Sequence, residues 1–347
     1  MDRIYCTHCL KRVPSIELDA CPADDCGRSR PVEGWATYES VDSVIDGRFR
    51  VQGLVGSGGA GLTYRCLDLD TGETVALKVL HPGGQRHTVA QRLALEAEAL
   101  DLLDHPGIVP FVGVRMYGVE RPWLATTYLP GGSLSKRLRE RGPLAAVDVA
   151  RIGVQLAEAL GEVHRQGIVH RDVKPANILI EQPDGPIRVR LGDFGIARVL
   201  QGSEDLPRQD LTSVGMFVGT PEFASPEQVR AVGRVSVATD AYALGLVLHF
   251  AATGDSLLRC ETADEWIRRR EQGLKPWERP RLMSPQMSPR ERSLASTLDC
   301  LIDGLLGEDP SARMTVEEAG RLLSSALLSF GRQGDREEFR TVGPTRM

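Results

Sequence analysis

"VHRDVKPANILI", residues 169–180, sets five polar side chains between apolar ones: His170, Arg171, Asp172, Lys174 and Asn177. Buried polar groups are costly unless paired. A carboxylate, an ammonium two residues on and a carboxamide three further therefore make either a satisfied structural turn or a working site. Asp172 suits accepting or steering a hydroxyl proton. Lys174 suits neutralising charge on a transferred phosphoryl group, and Asn177 offers oxygen to Mg²⁺. Downstream, "IRVRLGDFG" (187–195) alternates Ile187, Val189 and Leu191 like a strand and delivers Asp193 at its end, beside Gly192 and Gly195. That is a place for a second hard metal ligand.

Upstream, "GSGGAG" (56–61) has the G-x-G-x-x-G spacing. A dinucleotide-binding loop is followed by a helix. Here "LTYRCLDLD" follows and alternates like a strand, so the glycines read as a turn between antiparallel strands whose N–H groups can approach phosphates. On this motif alone a plain Gly-rich hairpin remains an equal alternative. "VALK" (75–78) ends an apolar strand on Lys78, a charge in need of a partner. Residues 88–103 have helical spacing, and Leu93, Glu96, Leu100 and Leu103 share one face. Glu96 then lies on the core stripe and Glu98 points away, which invites a Lys78–Glu96 ion pair. A purely structural salt bridge or a snorkelling lysine stays open here.

The chain has 347 residues, 41% hydrophobic and 26% charged, with a net charge of −5. These values describe a soluble globular protein of two or three lobes, without bulk attraction to nucleic acid or anionic membrane. The longest apolar run, "AYALGLVLHFAA" (241–252), is 12 residues, a buried core helix rather than a span. The start, "MDRIYCTHC", has no apolar signal region, so the expected compartment is the cytoplasm. Strand signals run from Val44. Helical patterns dominate from Leu134, including the amphipathic "AAVDVARIGVQLAEALGEVHRQG", where Ile152, Leu156, Leu160 and Val163 share a face. The reading is an α+β chain in two lobes. Its expected boundaries are a Cys-rich module at 1–30, a linker at 31–43, an N-lobe at 44–129, a C-lobe at 130–326 and a loose polar tail at 327–347.

Taken together, "GSGGAG", "VALK", "HRDVKPAN", "DFG", "GTPEFASPE" (219–227), "TDAYALG" (239–245) and "DPSARMT" (309–315) resemble the eukaryotic-like Ser/Thr protein kinases found in bacteria, in order and spacing, over about 44–326. The resemblance implies a two-lobed protein kinase fold and use of ATP with Mg²⁺ or Mn²⁺. It implies that Val55, Gly56, Ser57, Gly58, Gly59, Ala60, Gly61 and Thr63 cover the nucleotide, with Tyr128 in the hinge. Lys78 would hold the α- and β-phosphates and pair with Glu96. Asp172 would be the catalytic base, Lys174 would touch the γ-phosphate, and Asn177 and Asp193 would hold Mg²⁺. Lys174 and Thr220 resemble the Ser/Thr class. Asp240 would tie its helix to the catalytic loop, and Glu227 and Arg313 would form a buried pair. Arg171 would meet a phosphate on the segment 193–227, with Thr212 or Ser213 autophosphorylated. The chain departs from the pattern at Thr63, where the family usually has Val, at Thr127 in the hinge, and at Ser225 in place of the Ala of "APE". None of these removes a catalytic group. The rival readings are a nucleotide-binding pseudokinase scaffold, a zinc-ribbon nucleic-acid binder and a small-molecule kinase.

Four of the seven cysteines crowd into the first 26 residues. Cys6 and Cys9 give C-x2-C, and after 11 residues Cys21 and Cys26 give C-x4-C. The pieces resemble a small zinc ribbon, whose Cys₄ site would be structural. Zinc would supply the stability that this coreless segment lacks. His8 could compete as a ligand, and redox-active thiols or an unmetallated segment are the alternatives. Residues 1–30 hold five Lys or Arg against five Asp or Glu and one aromatic, Tyr5, so nucleic-acid binding is unsupported. The expected partners are protein substrates bearing Ser or Thr, and a protein or signal for this module.

Overall fold

The computed structural model describes residues 3–5, 12–13, 20, 36–39, 41–58, 61–80, 96–116, 122–193, 221–230, 235–257, 265, 268–269, 272, 279 and 281–341. The chain divides into two compact units, Met1–Asp101 with Pro110–Tyr128, and Leu102–Val109 with Leu129–Met347.

The first unit carries two antiparallel sheets. Strands β1 (Arg3–Tyr5), β2 (Arg12–Val13) and β3 (Ala36–Tyr38) form the smaller, in the order β2-β1-β3. Residues 31–43, expected as a linker, thus contain a strand. Thr37 and Tyr38 favour extended structure, and β3 pairs with the second edge of β1. The chain stays bonded beyond it. Glu39 N donates to Tyr64 Oη at 3.2 Å, Asp42 N to Val51 O at 2.8 Å, and Val51 N to Ser43 O at 2.9 Å.

The larger sheet has strands β4 (Val44–Ile45), β5 (Phe49–Gly58), β6 (Gly61–Asp68), β7 (Thr74–Leu80), β8 (Phe111–Arg115) and β9 (Trp123–Thr127), in the order β4-β5-β6-β7-β9-β8. The two-residue period sends Leu62, Tyr64 and Cys66 of β6 and Val75, Leu77 and Val79 of β7 into one core with Phe49, Val51, Trp123 and Ala125. Lys78, between Leu77 and Val79, therefore faces the other way. Across the ladder it pairs with Thr63 of β6, which shares that face. The "DTGE" turn closes β6 onto β7, with Gly72 in the left-handed region at φ 76° and its N–H on Asp68 O. Burial pushes the Cys66 thiol up to about 12, so it stays protonated as a small apolar filler.

The second unit is helical. Helical residues 96–101, labelled α1, close the first unit. Then come α2 (Leu134–Arg141), α3 (Ala146–Arg165), α4 (Pro226–Arg230), α5 (Val237–Thr253), α6 (Pro289–Leu305) and α7 (Val316–Thr341). Helix α3 buries Ile152, Leu156, Leu160 and Val163 fully, each worth about 1.5–3 kcal/mol. Helix α5 is buried nearly all round, as its apolar run predicts, and starts on a Ser236/Thr239 capping box. A Cβ at Gly245 would lie 2.9 Å from Leu305 Cβ, so glycine lets α5 and α6 approach closely. Among the described residues no helix is long and apolar enough to cross a membrane. The tail expected loose from 327 is instead helical to Thr341. Residues 327–341 contain no proline, and "DREEFR" is rich in helix formers, which outweigh Gly331 and Gly334.

Candidate active site

In the sheet unit the site begins with the Gly-rich hairpin. Gly56, Ser57 and Gly58 of β5 pair with Thr63, Leu62 and Gly61 of β6, an antiparallel turn rather than a strand-to-helix loop. Gly59 and Ala60 lie outside the described residues. Gly61 has a local reason to be glycine: a Cβ there would collide with the carbonyl of Val79 on β7. Val55 is exposed on β5. On the face of β7 opposite the core, Lys78 Nζ lies 3.1 Å from Glu96 Oε2 and 3.4 Å from Oε1. Glu96 is buried, as are Ala97 and Leu100, whereas Glu98 is exposed, as the helical spacing requires. Tyr128 follows β9, with its N–H on Thr74 O at 3.3 Å and the Arg65 guanidinium over its ring.

In the helical unit a short antiparallel pair positions two ligands. Strand β10 (Ile178–Ile180) pairs with β11 (Val189–Leu191), Ile178 opposite Leu191. Asn177 just before β10 and Gly192–Asp193 just after β11 are thereby neighbours, and Gly192 N donates to Asn177 O at 2.9 Å. Asn177 Nδ2 donates to Asp172 O at 2.8 Å, Asp172 Oδ2 at 3.0 Å and Asp193 O at 3.3 Å. With its N–H groups so used, the carboxamide keeps its oxygen as an acceptor, and the Asn177 amide and the exposed Asp193 carboxylate are the hard-oxygen donors that would suit Mg²⁺. Lys174 Nζ reaches Asp172 Oδ2 at 2.7 Å. Both partners of the Asp172 carboxylate among the described residues fall on Oδ2, so Oδ1 is the oxygen available to a hydroxyl.

The loop before Asp172 hangs on one buried carboxylate. Asp240, near the start of α5, accepts from Arg171 N on Oδ1 and from His170 N on Oδ2, both at 2.8 Å, and His164 Nε2 joins Oδ2 at 2.8 Å. Arg171 and Asp193 both sit at positive φ, 65° and 56°, a strained backbone that persists only where the surroundings fix it. His170 is fully buried, and burial holds its pKa below the usual imidazole value. Its Nε2 faces Gly192 O at 3.3 Å and its Nδ1 accepts from Asp172 N at 3.3 Å, which assigns the neutral tautomer with the proton on Nε2. Glu227 and Arg313 form a buried bidentate pair at 2.8 and 3.1 Å. Burial is the largest influence on Glu227 and alone would raise its pKa, but the Arg313 hydrogen bonds and charge, a backbone hydrogen bond and Ser225 together hold the carboxyl below its ordinary value.

Thr212, Ser213 and Thr220 lie outside the described residues, as do Cys6, Cys9, Cys21 and Cys26. Three structural contributors escaped the sequence reading. His164 looked like one more polar residue at a helix end. Gln228 donates to Arg171 O at 3.0 Å, and nothing in its spacing marks it. Arg279, whose side chain is fully buried, binds Asp299 and Asp303 of α6 at 2.6 and 2.7 Å.

The sequence pattern of the protein kinase domain matches residues 49–322. The serine/threonine-protein kinase pkn3 of Myxococcus xanthus is 35% identical over 225 residues, covering 63% of this chain and 40% of the relative. The serine/threonine-protein kinase PknL of Mycobacterium tuberculosis is 36% identical over 232 residues, 64% of this chain and 55% of the relative. PknK of the same species is 38% identical over 201 residues, 58% and 17%. The chain thus spans from about a sixth to about half of the length of these curated relatives.

Proposed function

The chain belongs to the protein kinase family, and we propose that it is an ATP-dependent Ser/Thr protein kinase. The observation that carries this reading is the Asp172–Lys174–Asn177 cluster, held by backbone and side-chain bonds within one short loop. Loose phosphoryl transition states need positioning and charge neutralisation more than covalent chemistry. Asp172 Oδ1 accepts the proton of a Ser or Thr hydroxyl as its oxygen bonds to the γ-phosphorus. The bond from that phosphorus to the bridging oxygen breaks, and ADP leaves. Lys174 offsets charge on the moving phosphoryl group, and Lys78, steadied by Glu96, holds the α- and β-phosphates under the Gly-rich turn. Asn177 and Asp193 would hold Mg²⁺, which supplies charge neutralisation on the phosphates. The names of the bacterial relatives support the Ser/Thr class. The test is phosphate transfer from radiolabelled ATP with Mg²⁺, beside an Asp172→Asn variant: label on the wild type alone supports the reading, and label on neither opposes it.

The further parts of the reading are autophosphorylation at Thr212 or Ser213 and a structural zinc on Cys6, Cys9, Cys21 and Cys26. Strands of three, two and three residues support the zinc, because so small a sheet has little core of its own. Metal analysis of the purified protein checks it: one zinc per chain, lost on replacing Cys6 and Cys9 by Ser. Phosphosite mapping that finds full activity with neither Thr212 nor Ser213 modified would remove that part. The module serves a protein partner or signal, and composition and charge favour the cytoplasm over membrane or nucleic acid.

A further inference from the structure

We propose that Gln228 is a positioning residue for Asp172, a clamp from helix α4 onto the loop that carries the catalytic base. The inference rests on the kinase reading and deepens it. The peptide group between Arg171 and Asp172 is gripped at both ends. Its carbonyl accepts from Gln228 Nε2 at 3.0 Å, and its N–H donates to His170 Nδ1 at 3.3 Å. The two preceding N–H groups are already fixed by Asp240. Gln228 therefore sets the last rotational freedom of the peptide plane from which the Asp172 side chain projects, at the residue whose φ of 65° needs outside support.

The other end of the carboxamide is used as well. Gln228 Oε1 accepts from Ser225 N at 3.0 Å and lies 3.4 Å from Ser225 Oγ, and Ser225 is fully buried. A neutral donor and a neutral acceptor on one planar group are what this place requires. Ionised glutamate keeps the acceptor and loses the donor, and leucine loses both. Ser225 and Gln228 directly follow the segment 194–220, and the neighbouring Glu227 is pinned by Arg313. The clamp therefore makes the geometry of Asp172 depend on where Ser225 and helix α4 are held.

The experiment compares full-length wild type, Gln228→Leu and Gln228→Glu in steady-state phosphate transfer to a basic protein substrate. Fluorescent-nucleotide binding and thermal melting are read beside it. Gln228→Leu is expected to lower kcat by about tenfold or more, since a misplacement near 1 Å can cost about 10²-fold, with the KM for ATP unchanged within about twofold. Gln228→Glu is expected to match it near pH 8 and to recover relative to wild type as pH falls to about 6, because a protonated carboxyl again offers one donor and one acceptor. The ionisable groups joined to the clamp, Arg171, Asp172, His170, His164, Asp240, Glu227 and Arg313, are common to both proteins, so the ratio isolates position 228. An active wild type with both variants within twofold in kcat overturns the inference. So does a loss of kcat that tracks lost nucleotide binding and melting temperature without pH recovery in Gln228→Glu. Should Gln228→Leu fail to fold, the pH ratio of Gln228→Glu decides. A wild type that transfers no phosphate brings down the kinase reading, and this inference with it.

Discussion

The candidate residues of the two units are held in opposite ways. In the sheet unit, Lys78 meets Glu96 through a side-chain ion pair with the lysine still one-fifth exposed. In the helical unit, Asp172 and Asn177 sit on a loop whose consecutive backbone groups are bonded to Asp240, His170 and Gln228. An ion pair whose lysine is one-fifth exposed is partly screened by water, although its buried glutamate raises its worth above that of a surface pair. A buried carboxylate serving two backbone N–H groups is costly to remove. The chemistry is thus preset in one unit and adjustable in the other.

Four changes break or sharpen that contrast. The largest effect belongs to Asp172→Asn, which should lower phosphate transfer by about 10²–10⁴-fold while nucleotide binding persists. Unchanged turnover would remove Asp172 from its role. Asp240→Ala comes next and should cost about 3–5 kcal/mol, because it leaves two buried N–H groups and His164 without their acceptor; urea denaturation measures it. Lys78→Met should lower activity about 10²-fold through lost phosphate positioning, and should cost less stability than Asp240→Ala, about 1–2 kcal/mol, because one carboxylate rather than two backbone N–H groups loses a partner. If its melting temperature fell as far as that of Asp240→Ala, the contrast would be wrong.

The smallest effect is pH dependence, and it too differs between the units. Burial, with help from the Arg279 charge, pushes His249 of α5 down from 6.5 to about 4. Below 6.5 the unfolded chain binds a proton that the folded helix refuses, so stability falls as pH drops from 6.5 towards 4. The Arg48 hydrogen bonds hold Asp68 of β6 down from 3.8 to about 2. Its contribution is complete above 3.8 and is lost only as pH falls towards 2. Hydrogen exchange along an acid titration should open the helical unit first, and His249→Gln should delay it. Opening of the sheet unit first would contradict the assignment.

The legible part of the molecule was the part written in short spacings. The apolar strand ending on Lys78 left a charge in need of a partner, and the helical period put Glu96 rather than Glu98 on the inner stripe. The strand pattern ending at Asp193 and the polar run after Val169 located the loop ends that β10 and β11 bring together. The resemblance added Asp240 and the Glu227–Arg313 pair, which local spacing does not show because their partners are 70 and 86 residues away. Gln228 and Arg279 stayed hidden for the same reason, since a long-range contact leaves no local period. The stretches misjudged, 36–38 and 327–341, are polar and short of core residues. Their strand and helix follow from pairing with β1 and from helix propensity, signals weaker in sequence than a hydrophobic period.

The bonds that residues 36–39 and 42–45 make to the two sheets have a mechanical consequence. β3 ends at Tyr38, and by Asp42 the same chain is hydrogen-bonded to Val51 of β5, with Glu39 tethered to Tyr64 on the way. Residues 39–41 can extend by at most about 3.6 Å each, so there is almost no slack. A pull on the small N-terminal sheet loads β5 directly, and β5 runs without interruption into the glycine-rich turn. The small sheet is thereby a handle on that turn, and tension applied at one would be felt at the other.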